Sequence, residues 1–209
     1  MVERQIRRRG ITDPAILAAF AEVPRHAFVP EDMAERAYDD GPLPIGSGQT
    51  VSQPYIVACM IAAAGVRPGH RVLEVGAGSG YAAAVLSRIA ESVFAIERYE
   101  SLACAARERI AALGYHNCAI VTGDGLAGLA DEAPFDAILV AARSEEVPEA
   151  LKHQLKPGGR LVIPVGGEDV QQLRCIERHG EDDWSARDIA AVRFVPLLPN
   201  VVRENGAAR

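Results

Sequence analysis

Apolar and polar residues alternate along this chain in blocks that predict strands and helices in turn. From residue 70 onward the blocks read "HRVLEV", "YAAAVLSRIA", "SVFAIE", "SLACAARERIAALG", "NCAIVTGD", "FDAILVA", "PEALKHQL" and "GRLVIPVG". Short apolar runs are typical of buried strands, and apolar positions three or four residues apart are typical of helices. Alternation at this spacing predicts right-handed β-α-β crossovers and a mainly parallel sheet with helices on both faces.

The two ends of the chain depart from this alternation. Near the start, "ERQIRRR" stops at Gly10, where a left-handed cap fits, and a second helix begins with Asp13 as its N-cap and Pro14 at its first position. Pro54 begins a third helix that runs to about Ala64. Near the end, "QQLRCIER" and "DIAAVRFVPL" predict two strands joined by "HGEDDWSAR", which form an antiparallel hairpin on the sheet edge.

These patterns predict a single α/β domain over residues 1–209, with a doubly wound, mostly parallel, Rossmann-like sheet. Residues 1–53 form a helical N-terminal cap and the candidate active-site loop, residues 54–166 the α/β core, and residues 167–209 the hairpin and tail. Open sheets of this type bind ligands beyond the carboxyl ends of their strands, near the point where strand order reverses. We therefore expect chemistry at Glu74–Gly80, Glu97–Tyr99, Gly123–Gly125 and Ala141–Ser144.

The composition narrows the choice of partners and compartment. The chain has 209 residues, 49% of them apolar, a formal net charge of −6 and a pI near 5.4. Its acidity argues against a nucleic-acid partner, because such proteins usually present a basic face. No apolar stretch follows the N-terminal charges, and the longest apolar segment, Tyr55–Val66, is shorter than the roughly 20 residues that span a bilayer. We expect a cytoplasmic protein that makes no membrane contact.

The cysteines and histidines do not indicate a metal site. The cysteines show neither a CxxC motif nor metal-ligand spacing with the histidines, so we interpret them as reduced thiols. The five histidines are scattered, and none pairs with an acid at a spacing that indicates a triad. The cysteines are Cys59, Cys104, Cys118 and Cys175.

The segment "VLEVGAGSGY" places three glycines directly after the first strand of the core. Glycine has no Cβ, so the backbone there can turn sharply and a ligand can approach it closely. The spacing G-x-G-x-G differs from the dinucleotide fingerprint G-x-G-x-x-G, and Glu74 just before it would repel a pyrophosphate. An acid in this place favours a ligand that carries a sulfonium or ammonium group. We therefore predict S-adenosylmethionine rather than NAD as the cofactor.

Two further acids follow the next two strands. Glu97 ends the second strand, where a carboxylate can accept hydrogen bonds from both ribose hydroxyls. Asp124 lies in "GDG" after the third strand, where its carboxylate or the adjacent backbone can reach the adenine amino group. The fold is thus of the S-adenosylmethionine-dependent methyltransferase type. The predicted cofactor-binding residues are Glu74, Gly76, Ala77, Gly78, Ser79, Gly80, Glu97, Arg98, Gly123, Asp124 and Gly125.

The run "GSGQTVSQP" at residues 46–54 suits neither the inside of a helix nor the face of a strand. It holds two glycines, three hydroxyls and two amides. By itself it is either an ordinary polar connector or a loop whose donors and acceptors face a ligand.

Several motifs together resemble the protein-L-isoaspartate O-methyltransferase family. They are "AYDDGPLPIGSGQTVSQPYIVA", "VLEVGAGSGYAAAVLS", "GDG", "FDAILV", "LKPGGRLVIPVG" and "RFVPL", and the likeness runs from about Val2 to Leu197. The glycine loop is common among methyltransferases, whereas "PLPIGSGQTVSQP" is specific to this family. The resemblance implies methylation of the free α-carboxylate of L-isoaspartyl residues in damaged proteins. The ester then cyclises without the enzyme to a succinimide, whose hydrolysis returns part of it to aspartate.

The resemblance also implies roles for the residues of this loop. The serine of the family's QT-x-S segment, here Ser52, is the designated active-site residue, and we place Thr50 beside it as catalytic. The acceptor carboxylate, with a pKa of about 3.9, is already ionised at neutral pH, so the enzyme needs no general base. It must hold an oxygen in line with the methyl carbon, a task that suits hydroxyls and backbone N–H groups. The predicted acceptor-binding residues are Gln49, Val51, Gln53, Arg143 and Leu198.

Three other functions remain open from the sequence. A related methyltransferase could esterify aspartate in a ribosomally made peptide, and a non-catalytic relative could keep only the cofactor pocket. An NAD-dependent oxidoreductase is disfavoured by the glycine spacing and by Glu74. The expected partners of the leading hypothesis are isoaspartyl-containing proteins and peptides, and the expected oligomeric state is a monomer.

Overall fold

A seven-stranded sheet organises the chain in the computed structural model, which describes residues 1–203. A separate two-stranded hairpin precedes it, formed by β1 (Leu43–Gly46) and β2 (Gln49–Val51). The main strands are β3 (Arg71–Val75), β4 (Ser92–Glu97), β5 (Cys118–Thr122), β6 (Phe135–Val140), β7 (Leu155–Gly166), β8 (Gln171–Arg178) and β9 (Trp184–Val192). The α-helices are α1 (Pro14–Glu22), α2 (Pro54–Ala64), α3 (Tyr81–Ser87), α4 (Glu100–Ala112) and α5 (Glu149–His153).

The strand order reverses beside β3. The order across the sheet is β5-β4-β3-β6-β7-β8-β9, parallel from β5 to β7 and antiparallel for β8 and β9. The chain runs outward from β3 to β5 and then crosses back to β6 on the other side of β3. This confirms the predicted doubly wound, mostly parallel sheet with an antiparallel hairpin at its edge. A crevice between diverging connections is expected beyond the carboxyl ends of β3 and β6.

Apolar side chains cover both faces of the sheet, as alternation along each strand requires. Val72 and Leu139 belong to one core cluster, which packs against α1–α4, whereas their neighbours Leu73 and Ile138 belong to a second cluster that includes Leu151 of α5. All four strand residues are buried. Burial on both faces explains why these strands read in the sequence as almost continuous apolar runs.

The predicted helix ends of the N-terminal region are present. The Asp13 carboxylate accepts hydrogen bonds from the backbone N–H groups of Ala15 at 2.8 Å and Ile16 at 3.3 Å, which caps α1. Gly10 has a φ of 96°, the left-handed conformation that ends a helix without a steric penalty. Helix α2 begins at Pro54 and ends at Ala64, as predicted.

The prediction for residues 46–54 was wrong in one respect, because part of the run forms the β1–β2 hairpin. Thr50 pairs with Pro44, and Val51 pairs with Leu43. Ser47 and Gly48 connect the strands with φ values of 49° and 68°. Two successive positive φ angles are characteristic of the tight turns whose twist matches that of a hairpin. The two strands have only four and three residues, too few to show the alternation on which strand prediction depends.

The C-terminal hairpin also differs from its prediction. Strand β9 begins at Trp184, inside the predicted connection, and ends at Val192. The segment "RFVPL" therefore leaves the sheet instead of continuing the strand. The chain then passes the carboxyl ends of β6 and β4, where Pro196 lies beside Arg143 and Val202 lies beside Tyr99. We name residues 193–203 the C-terminal strap. Residues 204–209 of the predicted tail lie outside the described residues.

Within residues 1–203, no helix has the length and apolar character needed to cross a bilayer. Over the same residues, no group of three His, Cys, Asp or Glu side chains is arranged to hold a metal ion. All four cysteines are free thiols.

Candidate active site

A first cavity opens beyond the carboxyl ends of β3, β4 and β6, where the strand order reverses between β3 and β6. Three segments surround it: the glycine loop after β3, the β1–β2 hairpin and the C-terminal strap. Most of the predicted site residues line it, namely Gln49, Thr50, Val51, Ser52, Glu74, Gly76, Ala77, Gly78, Ser79, Glu97, Arg98, Gly125 and Leu198. The predicted residues that do not line it are Gln53, Gly80, Gly123, Asp124 and Arg143.

The glycine loop is bound to the neighbouring strand β4. The backbone N–H groups of Gly76 and Ala77 both donate to the carbonyl oxygen of Ile96, at 2.8 and 3.0 Å. Gly76, Gly78 and Gly80 have φ values of 90°, 53° and 86°, which only glycine adopts without strain. These bonds fix the loop against the sheet while its other side faces the cavity.

Gly80 serves helix packing rather than the cavity. A Cβ at this position would lie 3.4 Å from Ala106 and Ile110 of α4. The third glycine of the motif therefore allows α3 and α4 to approach each other. Its predicted contact with the cofactor has no support in its position.

Glu74 is a buried carboxylate at the edge of the cavity. It is 2% exposed, and its Oε2 atom has no hydrogen-bond partner among residues 1–203. Burial raises the pKa of Glu74 well above its usual value and the charge of Glu97 raises it further, while the backbone N–H of Ala83 opposes both. An unpaired carboxylate oxygen beside a cavity suits a ligand that brings a positive charge or a hydrogen-bond donor.

Glu97 is the second buried acid of the cavity, with 5% of its surface exposed. Its Oε1 accepts the backbone N–H of Tyr99 at 3.0 Å, and its Oε2 accepts the backbone N–H of Gly78 at 2.8 Å. These two bonds hold the carboxylate in one orientation and tie the glycine loop to β4. Each oxygen keeps a further lone pair, as acceptance of two ribose hydroxyls requires.

Asp124 has backbone partners on both carboxylate oxygens. Its Oδ1 accepts the N–H of Leu126 at 2.9 Å, and its Oδ2 accepts the N–H of Asn200 at 2.9 Å. Gly125 lines the first cavity beside it, and Gly123 instead donates its N–H to the Glu97 carbonyl. The sequence offered two groups for the adenine contact, the Asp124 carboxylate and the adjacent backbone. Of these, only the backbone, at Gly125, lies at the cavity. The contact from the Asp124 carboxylate stays a prediction.

The C-terminal strap is a part of the site that the sequence indicated only at Leu198. Its residues Val195, Pro196, Leu197 and Leu198 line the first cavity. The backbone of Arg143 anchors it after β6, donating to the Val195 carbonyl at 2.8 Å and accepting from the Leu197 N–H at 2.7 Å. The motif "RFVPL" gave no sign of this role, because the anchoring bonds are made by backbone groups.

The far end of the strap is anchored after β4. The Arg98 guanidinium donates to the carbonyl oxygens of Pro199 at 3.1 Å and Asn200 at 3.2 Å. The backbone N–H of Val202 donates to the Arg98 carbonyl at 2.8 Å, and its carbonyl accepts from Glu100 at 3.0 Å. Arg98 was predicted to bind the cofactor, and its side chain holds the strap that encloses the cavity.

Ser52 and Thr50 stand where the first cavity meets a second one. The two cavities share Thr50, Ser52, Ala141 and Val195. The second cavity extends outward from this junction along the hairpin and the end of β9. Its remaining lining residues are Pro42, Gln53, Ile56, Val170, Ala191, Val192, Arg193 and Phe194.

The other predicted acceptor residues occupy different positions. Gln49 donates to the Ser47 carbonyl at 3.1 Å, Val51 is buried, and Gln53 lines the second cavity while donating to Asp40 Oδ1 at 2.7 Å. Leu198 lines the first cavity and is 41% exposed.

Arg143 lines neither cavity, and its backbone anchors the strap. Six further lining residues were not among the predicted site residues, because their role follows from packing. They are Val57, Met60, Tyr81, Ile96, Leu139 and Ala142.

Comparison with known proteins gives one consistent family. The family model described as Protein-L-isoaspartate(D-aspartate) O-methyltransferase (PCMT) matches residues 1–202. A protein-L-isoaspartate O-methyltransferase of Methylorubrum extorquens (strain PA1) is 60% identical over 201 residues, 96% of this chain and 88% of the relative. A second, from Pelobacter propionicus, is 53% identical over 199 residues, 95% of this chain and 88% of the relative.

Two solved structures have the same fold over nearly the whole chain. One, named as a protein-L-isoaspartate O-methyltransferase, aligns with a TM-score of 0.85 and 30% identity over 96% of this chain and 67% of the other. The second, a Plasmodium falciparum protein named for the same activity and solved in complex with S-adenosyl-L-homocysteine, aligns with a TM-score of 0.82 and 27% identity over 95% and 97% of the two chains. This chain belongs to the protein-L-isoaspartate(D-aspartate) O-methyltransferase family.

Proposed function

We propose that this protein methylates the free α-carboxylate of L-isoaspartyl residues in damaged proteins, with S-adenosylmethionine as the methyl donor. The observation that carries the proposal is the position of Ser52 at the junction of the two cavities. One cavity has buried acids and a glycine loop, and the other extends along the surface of the hairpin. The family membership of residues 1–202 supports the same activity.

The residues of the first cavity fit S-adenosylmethionine. The unpaired Oε2 of Glu74 faces a site that favours positive charge, and the oriented carboxylate of Glu97 has lone pairs left for ribose hydroxyls. The glycine loop leaves room for close approach by the ligand at Gly76–Gly78. When bound, this cofactor supplies an electrophilic methyl group on a sulfonium sulfur.

The second cavity suits an extended acceptor peptide. It extends from the Ser52 junction, and its lining includes the apolar residues Ile56, Val170, Val192 and Phe194. The acceptor carboxylate is ionised at neutral pH, because its ordinary pKa is about 4 or below. Ser52 and Thr50 therefore orient an oxygen rather than remove a proton. Orientation of this kind supplies a large part of the rate in reactions between two bound groups.

The product explains how methylation starts a repair. In the α-methyl ester of an isoaspartyl residue, the nitrogen of the neighbouring peptide bond attacks the ester carbonyl and methanol leaves. A succinimide forms without the enzyme, and its hydrolysis returns part of the chain to ordinary aspartate.

The test offers isotopically labelled S-adenosylmethionine with matched isoaspartyl and aspartyl peptides. Base-labile label on the isoaspartyl peptide alone is the expected result. Label on the aspartyl peptide would instead favour esterification of ordinary aspartate in a peptide natural product. Binding of S-adenosylhomocysteine without any methyl transfer would mean that the protein only binds the cofactor.

Three further parts of the proposal concern partners and location. The four free thiols are consistent with action in the cytoplasm, where thiols stay reduced. We also propose that the protein acts as a monomer and binds neither nucleic acid nor membrane. Sedimentation of the protein at several concentrations, with and without a DNA duplex and lipid vesicles, tests these points.

A further inference from the structure

Arg25 is a fully buried arginine that the activity described above does not use. It lies in a short 3-10 turn, Arg25–Phe28, of the N-terminal cap, and none of its surface is exposed. Within residues 1–203 it forms no ion pair with an acid. Burial lowers the pKa of Arg25, yet an arginine stays protonated at neutral pH. An uncompensated buried charge is costly, so its position needs an explanation.

The contacts of Arg25 join the cap to the acceptor side of the site. Its Nε donates to the Ala37 carbonyl at 2.7 Å, and its Nη2 donates to the Ser52 carbonyl at 2.9 Å. The guanidinium carbon lies 4.6 Å from the centre of the Tyr81 ring, which lines the first cavity. Its Nη1 atom has no hydrogen-bond partner among the described residues.

We propose that Arg25 is the positioning residue of the acceptor site, holding Ser52 in place through its backbone carbonyl. This proposal rests on the proposed function, because it assigns Arg25 to the acceptor rather than to the cofactor. The hydrogen bond from Arg25 fixes the position of the Ser52 backbone and therefore of its side chain. Without this bond, the Ser52 hydroxyl can move away from its productive position. A reactant displaced by about 1 Å from its productive position loses on the order of 100-fold in rate.

The positive charge of Arg25 supports the same role. The acceptor group is a carboxylate, and the guanidinium bonds to the carbonyl of Ser52, a residue that lines both cavities. In a poorly solvated interior, the attraction between opposite charges is stronger than in water. Arg25 thereby favours binding of the acceptor without touching it, and the acceptor compensates the buried charge.

Arg109 makes an equivalent contact with the cofactor side. Its Nη1 donates to the Ser79 carbonyl in the glycine loop at 2.8 Å. It is half-buried and comes from α4, and its guanidinium carbon lies 5.9 Å from the centre of the Phe28 ring in the cap. The two arginines therefore hold one loop each, Arg25 at the acceptor hairpin and Arg109 at the cofactor loop. This gives a matched pair for a test.

The experiment compares Arg25→Met and Arg109→Met in the full chain. Steady-state kinetics with an isoaspartyl peptide give kcat and the KM of the peptide, and calorimetry gives the Kd of S-adenosylhomocysteine. We expect Arg25→Met to raise the peptide KM about tenfold or more and lower kcat, with the Kd changed less than threefold. We expect Arg109→Met to raise the Kd and leave the peptide KM nearly unchanged.

Two further variants separate positioning from general stability. Arg25→Lys keeps the charge but offers one ammonium in place of the planar fork, so it should restore part of the loss. Arg88→Met removes an arginine that lies 4.4 Å from the Tyr115 ring and pairs with Glu22 at 2.9 Å, away from both cavities. We expect it to lower the melting temperature without changing either binding constant.

Hydrogen exchange provides a readout that does not depend on turnover. Backbone amides of residues 49–53 should exchange faster in Arg25→Met and Arg25→Lys, whereas those of residues 76–80 should be unchanged. Equal weakening of peptide and S-adenosylhomocysteine binding, or unaltered exchange at 49–53, would overturn the proposal in favour of a folding role. Failure of both Arg25 variants to fold would do the same.

The outcome for Arg25 is distinct from the outcome for the activity. If the unmodified protein binds S-adenosylhomocysteine but methylates no isoaspartyl peptide, the proposed function fails. The exchange measurement on residues 49–53 still decides whether Arg25 holds the hairpin.

Discussion

The two loops that face the first cavity are held in place by different means. The glycine loop follows β3 directly, and its N–H groups bond to the Ile96 carbonyl and the Glu97 carboxylate in the adjacent strand. The β1–β2 hairpin pairs with no strand of the main sheet, and the buried guanidinium of Arg25 holds it at the Ser52 carbonyl. The cofactor loop is thus part of the sheet, whereas the acceptor hairpin is a separate unit placed by long-range contacts.

This difference implies that binding and turnover can be separated by mutation. Changes in the glycine loop and its anchors should weaken cofactor binding. Changes in the hairpin should affect the acceptor.

The largest effect is expected for Ser52→Ala. Removal of the hydroxyl should lower kcat for an isoaspartyl peptide by about 100-fold, because the acceptor loses an orienting group. The Kd of S-adenosylhomocysteine should stay within threefold of its original value. Ser101→Ala, at an exposed position of α4, is the control. Equal loss of turnover and cofactor affinity would assign the hairpin to the cofactor site and remove the contrast between the loops.

Glu97→Gln should have the next largest effect, on the other loop. The amide keeps one acceptor oxygen and loses the charge, so one of the bonds to Gly78 or Tyr99 is lost. A hydrogen bond to a charged group contributes about 1.5–3 kcal/mol, which corresponds to a loss of about 10–100-fold in affinity for S-adenosylhomocysteine measured by calorimetry. The peptide KM should not change. A raised peptide KM with unaltered cofactor affinity would contradict this assignment.

Glu74→Gln should change stability and binding in opposite directions. The folded-state pKa of Glu74 is raised, so the native state holds its proton more tightly than the unfolded state does. The stability that this provides is present below the ordinary glutamate pKa of about 4.3 and is lost as the pH rises through the higher folded value. The variant should therefore unfold at a higher temperature than the unmodified protein at pH 8 and at nearly the same temperature at pH 4.

The second expected effect of Glu74→Gln is on the affinity for the cofactor. Loss of the carboxylate should weaken S-adenosylmethionine binding about tenfold, because its sulfonium loses a nearby negative charge. The ionisable side chains that interact with Glu74 are those of Glu97 and Cys118, and the variant leaves both in place. A variant that is no more stable at pH 8 would show that the carboxylate is not an uncompensated charge in the folded protein.

The smallest effect is expected for Asp124→Ala, which loosens the strap. Loss of the bond to the Asn200 N–H should speed hydrogen exchange in residues 197–203. The variant also loses the bond from the Leu126 N–H, but affinity for S-adenosylhomocysteine should fall only about two- to fivefold, because neither Leu126 nor Asn200 lines the first cavity. Asp131→Ala, at a position away from both cavities, is the control. A loss above 30-fold would instead mean that the Asp124 carboxylate contacts the adenine directly.

The parts of the site that could be predicted from sequence follow strands immediately. Glu74, Glu97 and Gly125 lie at the cavity because parallel strands end at the same edge of the sheet, and the apolar runs marked where those strands end. Gly80 belongs to the same motif yet packs against α4, since spacing does not reveal which side of a turn meets a helix. The strands of the hairpin were missed because four and three residues are too few to show an alternating pattern.

The sequence by itself determined the doubly wound sheet, the switch point beside β3 and the glycine loop, because local periodicity and short connections leave few other arrangements. Only the tertiary structure decided that residues 193–203 enclose the cavity and that the Arg25 guanidinium donates a hydrogen bond to the Ser52 carbonyl. These contacts join residues 27 positions apart for Arg25 and Ser52, and 76 apart for Asp124 and Asn200. Their partners are backbone carbonyl and N–H groups, which every residue carries, so the identity of the side chains gives no sign of where they meet.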